Sequence, residues 1–333
     1  MTVANLRAGL IGLGMMGRHH ARVLGGLEGV DLVAVADPGG DQHGVAGGLT
    51  LLDSVEDLIA AGIDYCMVAV PTIYHEPVGL ALAEAGIHAM IEKPLAGDTP
   101  AARKLADAFA AKGLVGAVGH IERYNPALQS ARARLEAGEL GAVYQVTTRR
   151  QGPFPARIAD VGVVKDLATH DIDLTAWVTQ QVFTSVAART ATKSGRGFED
   201  LVAVVGQLAD GTVTNHLVNW LSPLKERVTI ITGERGAFVA DTLTADLTFY
   251  ANGLVQTTWD DLAQFRGVSE GDVVRYAIAK PEPLRVEHEQ FRDAVLGKDA
   301  DIVTLEQGMT TVAVAEAVIE SARSGRTIDL ARP

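Results

Sequence analysis

Cysteine is almost absent from this chain, aromatic residues make up only 5%, positive charge is in deficit, and no apolar run approaches the length of a membrane span. Each shortage excludes something. The single Cys66 rules out internal disulfides and a multi-cysteine zinc site, and its setting in Tyr65-Cys66-Met67-Val68-Ala69-Val70 reads as a buried strand thiol. A formal charge of -12 argues against a general nucleic-acid or anionic-membrane surface, so any anionic ligand must find clustered arginines. Arg7 follows a short polar start and glycines interrupt the next apolar run, so no secretory signal is expected and the cytoplasm is the expected location.

What the chain has instead is Ala, Val and 35 glycines, spread over 333 residues, a length that suggests two cores. One group of glycines is ordered. The apolar run Leu6 to Ile11 ends in Gly12-Leu13-Gly14-Met15-Met16-Gly17 and continues into a helical pattern, which brings bare backbone and a helix N-terminus against a pyrophosphate. A second buried run, Val30 to Ala36, ends in Asp37, about twenty residues beyond the array. A carboxylate there accepts from both ribose hydroxyls of NAD and repels the 2′-phosphate of NADP, so NAD is the expected cofactor. The alternative is that Asp37-Pro38-Gly39-Gly40 is a turn with Asp chosen for turn chemistry.

Strand and helix signals then alternate to Val118, which predicts a doubly wound parallel sheet of the Rossmann type over residues 1–120. Its strand ends carry Pro71, Thr72, His75, Glu92, Lys93 and His120. Singly these have ordinary readings, Thr72 as a cap and Glu92-Lys93 as an exposed pair. Beyond His120 the pattern changes to a helix at Pro126 to Glu136, strands from Val143, and hairpin signals at Asp210-Gly211 and at Asn252-Gly253, the latter between Leu247 to Tyr250 and Leu254 to Thr257. Residues 121–333 should therefore form an α+β domain on a large, mostly antiparallel open sheet, closed by helices near Val286 to Leu296 and from Thr304 to Gly325.

In that domain Gly162 to Val178 holds the densest chemistry. If helical, Asp166, Thr169, His170 and Asp173 fall on one stripe and give His170 a carboxylate on either side, as a general base needs. A solvated helix face explains the same pattern, and acid and histidine one turn apart could also hold a metal, although no further ligand cluster is evident.

The glycine array, Glu92-Lys93-Pro94, the Asp166 to His170 spacing, Gly233-Glu234-Arg235-Gly236-Ala237 and the closing helix together resemble the Gfo/Idh/MocA family over essentially the whole chain. The resemblance implies catalysis by Lys93, Asp166 and His170. It implies cofactor contacts from Gly12, Leu13, Gly14, Met15, Met16, Gly17, Asp37, Pro71, Thr72, His75, Glu92 and Lys93, and a homodimer or homotetramer built on the open sheet. Narrower similarity in Gly119 to Pro126 and Arg149 to Val163 points to members that oxidise the C3 hydroxyl of UDP-N-acetylglucosamine. Arg123, Tyr124, Asn125, Arg150, Arg157 and Thr169 are the expected substrate contacts. Arg123, Arg149, Arg150 and Arg157 also concentrate the positive charge that a diphosphate requires, unless alternating arginines merely protect an edge strand. The rival readings are a cyclitol or free-sugar dehydrogenase, a non-catalytic NAD-binding regulator and an NAD-dependent glycosidase.

Overall fold

Two stretches far apart in sequence build the first unit, Met1–Ile121 and Glu282–Glu316, while Glu122–Pro281 and Ala317–Pro333 build the second. The computed structural model describes residues 5–154, 161–253 and 270–331. The first boundary lies after Ile121, one residue from the expected division at 120, but Glu282–Glu316, expected in the second domain, returns to the first unit for a reason given below.

Six parallel strands form the first sheet: β1 (Leu6–Ile11), β2 (Val30–Ala36), β3 (Thr50–Leu52), β4 (Tyr65–Val68), β5 (His88–Glu92) and β6 (Gly116–Gly119). Their order, β3-β2-β1-β4-β5-β6, puts a topological switch point between β1 and β4. Successive strand residues feed opposite apolar clusters. Cys66, Val68, Ala89 and Ile91 join one, whereas Tyr65, Met67 and Met90 join the other, as expected of strands covered on both faces. The covering helices are α1 (Met15–Leu24), α2 (Val55–Ala60), α3 (His75–Glu84) and α4 (Thr99–Ala111). Ser54 caps α2 and Asp98 caps α4, each side chain accepting from a first-turn amide.

Helix α7 (Pro283–Val295) explains the discontinuity. Its amphipathic face buries Leu284, His288 and Phe291, and Phe291 meets Tyr65 of β4 edge-on at 5.4 Å. The last helix, α8 (Leu305–Ser324), opens on a reciprocal capping box: Gln307 N donates to Thr304 Oγ1, and Thr304 N donates to Gln307 Oε1, both at 3.2 Å.

The second unit is a nine-stranded sheet over two helices. Its strands are β7 (Val143–Pro153), β8 (Phe183–Ala191), β9 (Leu201–Leu208), β10 (Val213–Asn219), β11 (Leu221–Gly233), β12 (Gly236–Asp241), β13 (Asp246–Asn252), β14 (Glu270–Arg275) and β15 (Ile328–Asp329). All neighbours run antiparallel except β7 and β10. The expected hairpin around Asp210-Gly211 joins β9 to β10. Beyond Asn252-Gly253 the expected partner run, Leu254 to Thr257, lies outside the described residues, and β13 pairs with β14. One sheet face packs Val146, Ile231, Phe238 and Leu247 against α5 (Pro126–Glu136) and α6 (Thr169–Thr179). On the opposite face Val205, Val213, Tyr250 and Val273 are exposed.

Candidate active site

The ordered glycines form a sharp turn from β1 into α1. Gly12 has φ +93°, and a Cβ there would stand 2.5 Å from the Ala69 carbonyl oxygen. A Cβ on Gly17 would lie 1.9 Å from the Gly12 oxygen, so α1 can approach the turn only through glycine. Gly14 caps α1 with no side chain, nothing stands within 4 Å of where its Cβ would be, and the first turn carries no acid. The N-terminal amides thus stay open to an anion and the helix dipole is not neutralised, which fits a dinucleotide pyrophosphate. Leu13 is buried, Met16 half-buried, and Met15 exposed at the helix start.

Asp37 joins the array to β2. Its Oδ2 accepts from the Leu13 amide at 2.8 Å and its Oδ1 from Gly39 N at 2.7 Å. The turn reading and the cofactor reading therefore coexist, since each carboxylate oxygen keeps a second acceptor site for a ribose hydroxyl.

At the other side of the switch point, Pro71 is exposed and leads into one short helical turn, Thr72–Tyr74, on which Ile73 and Tyr74 are exposed. His75 departs from expectation. Its ring is buried, with Nδ1 2.9 Å from Pro94 O and Nε2 3.0 Å from Val70 O, so it ties two strand-end loops together instead of facing a cofactor. Burial lowers its pKa against the pull of those carbonyls. Glu92 is also buried, where an exposed pair with Lys93 was the plain alternative. One carboxylate oxygen accepts from Lys93 N at 3.0 Å, and the other lies 3.0 Å from His20 Nε2. Burial raises the Glu92 pKa, but the His20 hydrogen bond, the Lys93 charge and the Lys93 amide outweigh it and the net direction is down. Lys93 itself is half-buried at the C-terminal end of β5.

In the second unit the stretch from Gly162 is not one regular helix. A wide π-type turn covers Val164–Ala168 and runs into α6, with Val164 N held by Glu199 Oε1 at 3.1 Å. The extra residue in that turn offsets Asp166 from the stripe expected of a continuous α-helix. The solvated-face alternative is overturned: Asp166, Thr169, His170, Asp171 and Asp173 are all buried. Thr169, expected at the substrate, instead donates from Oγ1 to Lys165 O at 2.9 Å.

The arginines require the largest correction. Arg123 makes a two-pronged pair with Asp173, Nε to Oδ2 at 2.8 Å and Nη2 to Oδ1 at 2.6 Å. Arg150 is buried between Asp171 at 2.9 Å and Glu122 at 2.8 Å, and Arg149 pairs with Glu226 at 2.5 Å. Their charge is already matched by carboxylates, so it forms no uncompensated diphosphate cluster among the described residues. Arg157 lies outside the described residues. Burial drives the Glu122 pKa up, but Arg150 and Arg227 bring it down overall, and Arg150 is held cationic by Asp171 and Glu122. Arg123 and Arg150 thus grip α6 at Asp173 and Asp171, three residues and one residue after His170. Tyr124 is buried, and Asn125 caps α5, accepting from Ala127 N at 3.0 Å and donating to Thr242 O at 3.0 Å.

His20, His288, Glu122, Asp171 and the partly exposed Arg227 carried no signal in the sequence reading, because each is defined by a partner distant in the chain.

Comparison with known proteins adds to this geometry. Residues 6–120 match a family described as "Oxidoreductase family, NAD-binding Rossmann fold", and residues 132–330 match "Oxidoreductase family, C-terminal alpha/beta domain". UDP-N-acetylglucosamine 3-dehydrogenase of Acidithiobacillus ferrooxidans is 36% identical over 178 residues, 53% of this chain and 55% of that protein. The match thus spans about half the length of that relative. Myo-inositol dehydrogenase Hyg17 of Streptomyces leeuwenhoekii is 32% identical over 249 residues, 71% of this chain and 75% of that protein. A solved structure of the Acidithiobacillus ferrooxidans 3-dehydrogenase superposes with a TM-score of 0.85 at 27% identity, covering 97% of this chain and 99% of that one. The WlbA dehydrogenase from Bordetella pertussis, in complex with NADH and UDP-GlcNAcA, shares the fold with a TM-score of 0.80 at 22% identity over 99% of this chain and 100% of that one.

Proposed function

The chain belongs to the Gfo/Idh/MocA oxidoreductase family, and we propose that it is a cytoplasmic NAD-dependent dehydrogenase of a sugar carbinol, with UDP-N-acetylglucosamine, oxidised at C3, as substrate. The observation that carries the cofactor half is the open, acid-free start of α1 beside Asp37 at a sheet switch point. Likeness to the 3-dehydrogenase across nearly the full structure supports the substrate half.

Bound NAD supplies the hydride acceptor. In the oxidation direction neutral His170 takes the hydroxyl proton, Asp166 orients the ring and stabilises the imidazolium, and the Lys93 ammonium holds the oxygen as it becomes a carbonyl. Arg123 and Arg150 serve by fixing α6 through Asp173 and Asp171. The exposed apolar residues Val205, Val213, Tyr250 and Val273 support a homodimer or homotetramer on the open sheet face. A cyclitol dehydrogenase is the second reading. It is favoured by the internal pairing of the arginines and by the inositol-dehydrogenase relatives.

The test is reduced-nicotinamide absorbance with NAD or NADP and a panel of UDP-sugars, free sugars and cyclitols. Turnover with NAD and UDP-N-acetylhexosamines, falling by about 10²–10⁴ in His170→Ala, is the expected result. Turnover on inositol alone would establish the second reading, and preference for NADP would undo the role given to Asp37.

A further inference from the structure

Glu92, His20 and His288 form a buried polar chain in the first unit, drawn from β5, α1 and α7. We propose that His20 is a positioning residue for Lys93: held in one tautomer by His288, it fixes the Glu92 carboxylate, which in turn fixes the Lys93 backbone. The proposal rests on Lys93 acting at the reacting oxygen, and the experiment below keeps the two separable.

Hydrogen-bond accounting sets the direction of the chain. Glu92 Oε2 accepts from Lys93 N at 3.0 Å, while Oε1 faces His20 Nε2 at 3.0 Å. A Cβ on Gly119 would stand 3.3 Å from Glu92 Cδ, so β6 closes another side of the carboxylate. His20 and His288 are both buried, and their rings meet edge-on at 5.1 Å. Burial holds the His288 pKa well below the ordinary imidazole value, so the ring is neutral, with one N–H and one lone pair. Its Nδ1 has no hydrogen-bond partner among the described residues. An orphaned lone pair is tolerated better than an orphaned N–H, so the proton sits on Nε2 and is donated to His20 Nδ1, 2.8 Å away. With Nδ1 accepting, His20 carries its own proton on Nε2 and donates it to Glu92. A protonated His20 would reverse the link to α7 and leave His288 with a buried, unanswered N–H.

The neighbouring charged and titratable groups are Lys93 after β5, which acts on Glu92, and His19 next to His20 on α1, which feels Arg18, Arg22 and Glu282. The Lys93 charge acts with the His20 hydrogen bond to keep Glu92 ionised. The glycine turn and the Glu-Lys-Pro turn thus share one internal brace, three residues after Gly17 on one side and directly before Lys93 on the other.

Nitrogen-15 NMR of the histidine rings in the full-length, NAD-loaded protein reads the tautomers directly. His20 and His288 are both expected as Nε2–H forms, and an Nδ1–H signal from either overturns the proposal. His20→Leu should lower kcat about 10- to 100-fold with KM for NAD within about twofold, and His20→Gln, whose amide can donate to the same oxygen, should recover most of the loss. Equal losses in both variants, or a loss confined to KM for NAD, would assign His20 to packing and overturn the proposal. Full turnover in Lys93→Ala would sink the reading of Lys93 itself. Reversed tautomers alongside an inactive Lys93→Ala would sink only the role of His20.

Discussion

The first unit meets its ligand with bare backbone, whereas the second surrounds its histidine with charged side chains already satisfied by one another. At the start of α1 the amides are open because glycine leaves nothing in front of them. Around α6 the carboxylates of Asp171 and Asp173 are dry and gripped by Arg150 and Arg123. The difference teaches where specificity is stored. A backbone site depends on what each position omits, and a side-chain network depends on every partner being present, since a single buried charge left alone costs far more than the intact pair contributes.

The sharpest way to break this comparison is Gly17→Val. With a Cβ 1.9 Å from the Gly12 oxygen, NAD affinity should fall by about 1,000-fold, roughly 4 kcal/mol, in a nucleotide titration. Trp177, Trp220 and Trp259 all lie in residues 122–281, so tryptophan emission reports the second unit and should not change. A shifted emission would show that the two sites are not independent.

Next in size is the arginine grip. Arg123→Met removes the two-pronged cationic partner of the buried Asp173 carboxylate and should cost about 3–5 kcal/mol in denaturant unfolding, while Arg123→Met with Asp173→Leu should regain most of it. NAD affinity should stay within about twofold in both. Additive losses in the double variant would remove the pair from its assigned role.

The smallest effect concerns acid. His216, buried beside Thr148 on β7, is pushed down to about 4 by burial, against an ordinary value of 6.5. Between those values the unfolded chain binds a proton that the folded chain refuses, so stability is full above the window and declines as pH falls through it. The full window is worth about 3 kcal/mol. His216→Asn should flatten that decline in the tryptophan-detected unfolding of the second unit, and an unchanged slope would move the acid sensitivity elsewhere.

How much of this was legible beforehand follows the same divide. Gly12 and Gly17 announce their purpose by type, because no other residue accepts φ +93° or a carbonyl at such close approach. The alternation of strands with helices, the capping box at Thr304 and Gln307, and the β9–β10 hairpin are local patterns and read locally. Arg123 and Arg150 were visible as charge but not as pairs, since their partners lie 50 and 21 residues away. The π-type turn at Val164–Ala168 left no trace because apolar spacing does not report one added residue in a buried helix. His75 shows a related limit: the type of a residue at a strand end does not say which way its ring turns.

The return of α7 to the first unit bears on how the protein is made. His20 waits for a partner 268 residues downstream, and Tyr65 for Phe291. On a ribosome adding roughly 5–20 residues per second, the stretch between Ile121 and Glu282 takes on the order of ten seconds to emerge. Throughout that interval the nascent sheet has its strands but lacks the helix that seals Tyr65 and α1. The first unit is therefore begun by residues 6–121 and closed only once residues 282–316 have followed, so during synthesis part of its apolar surface waits uncovered for α7.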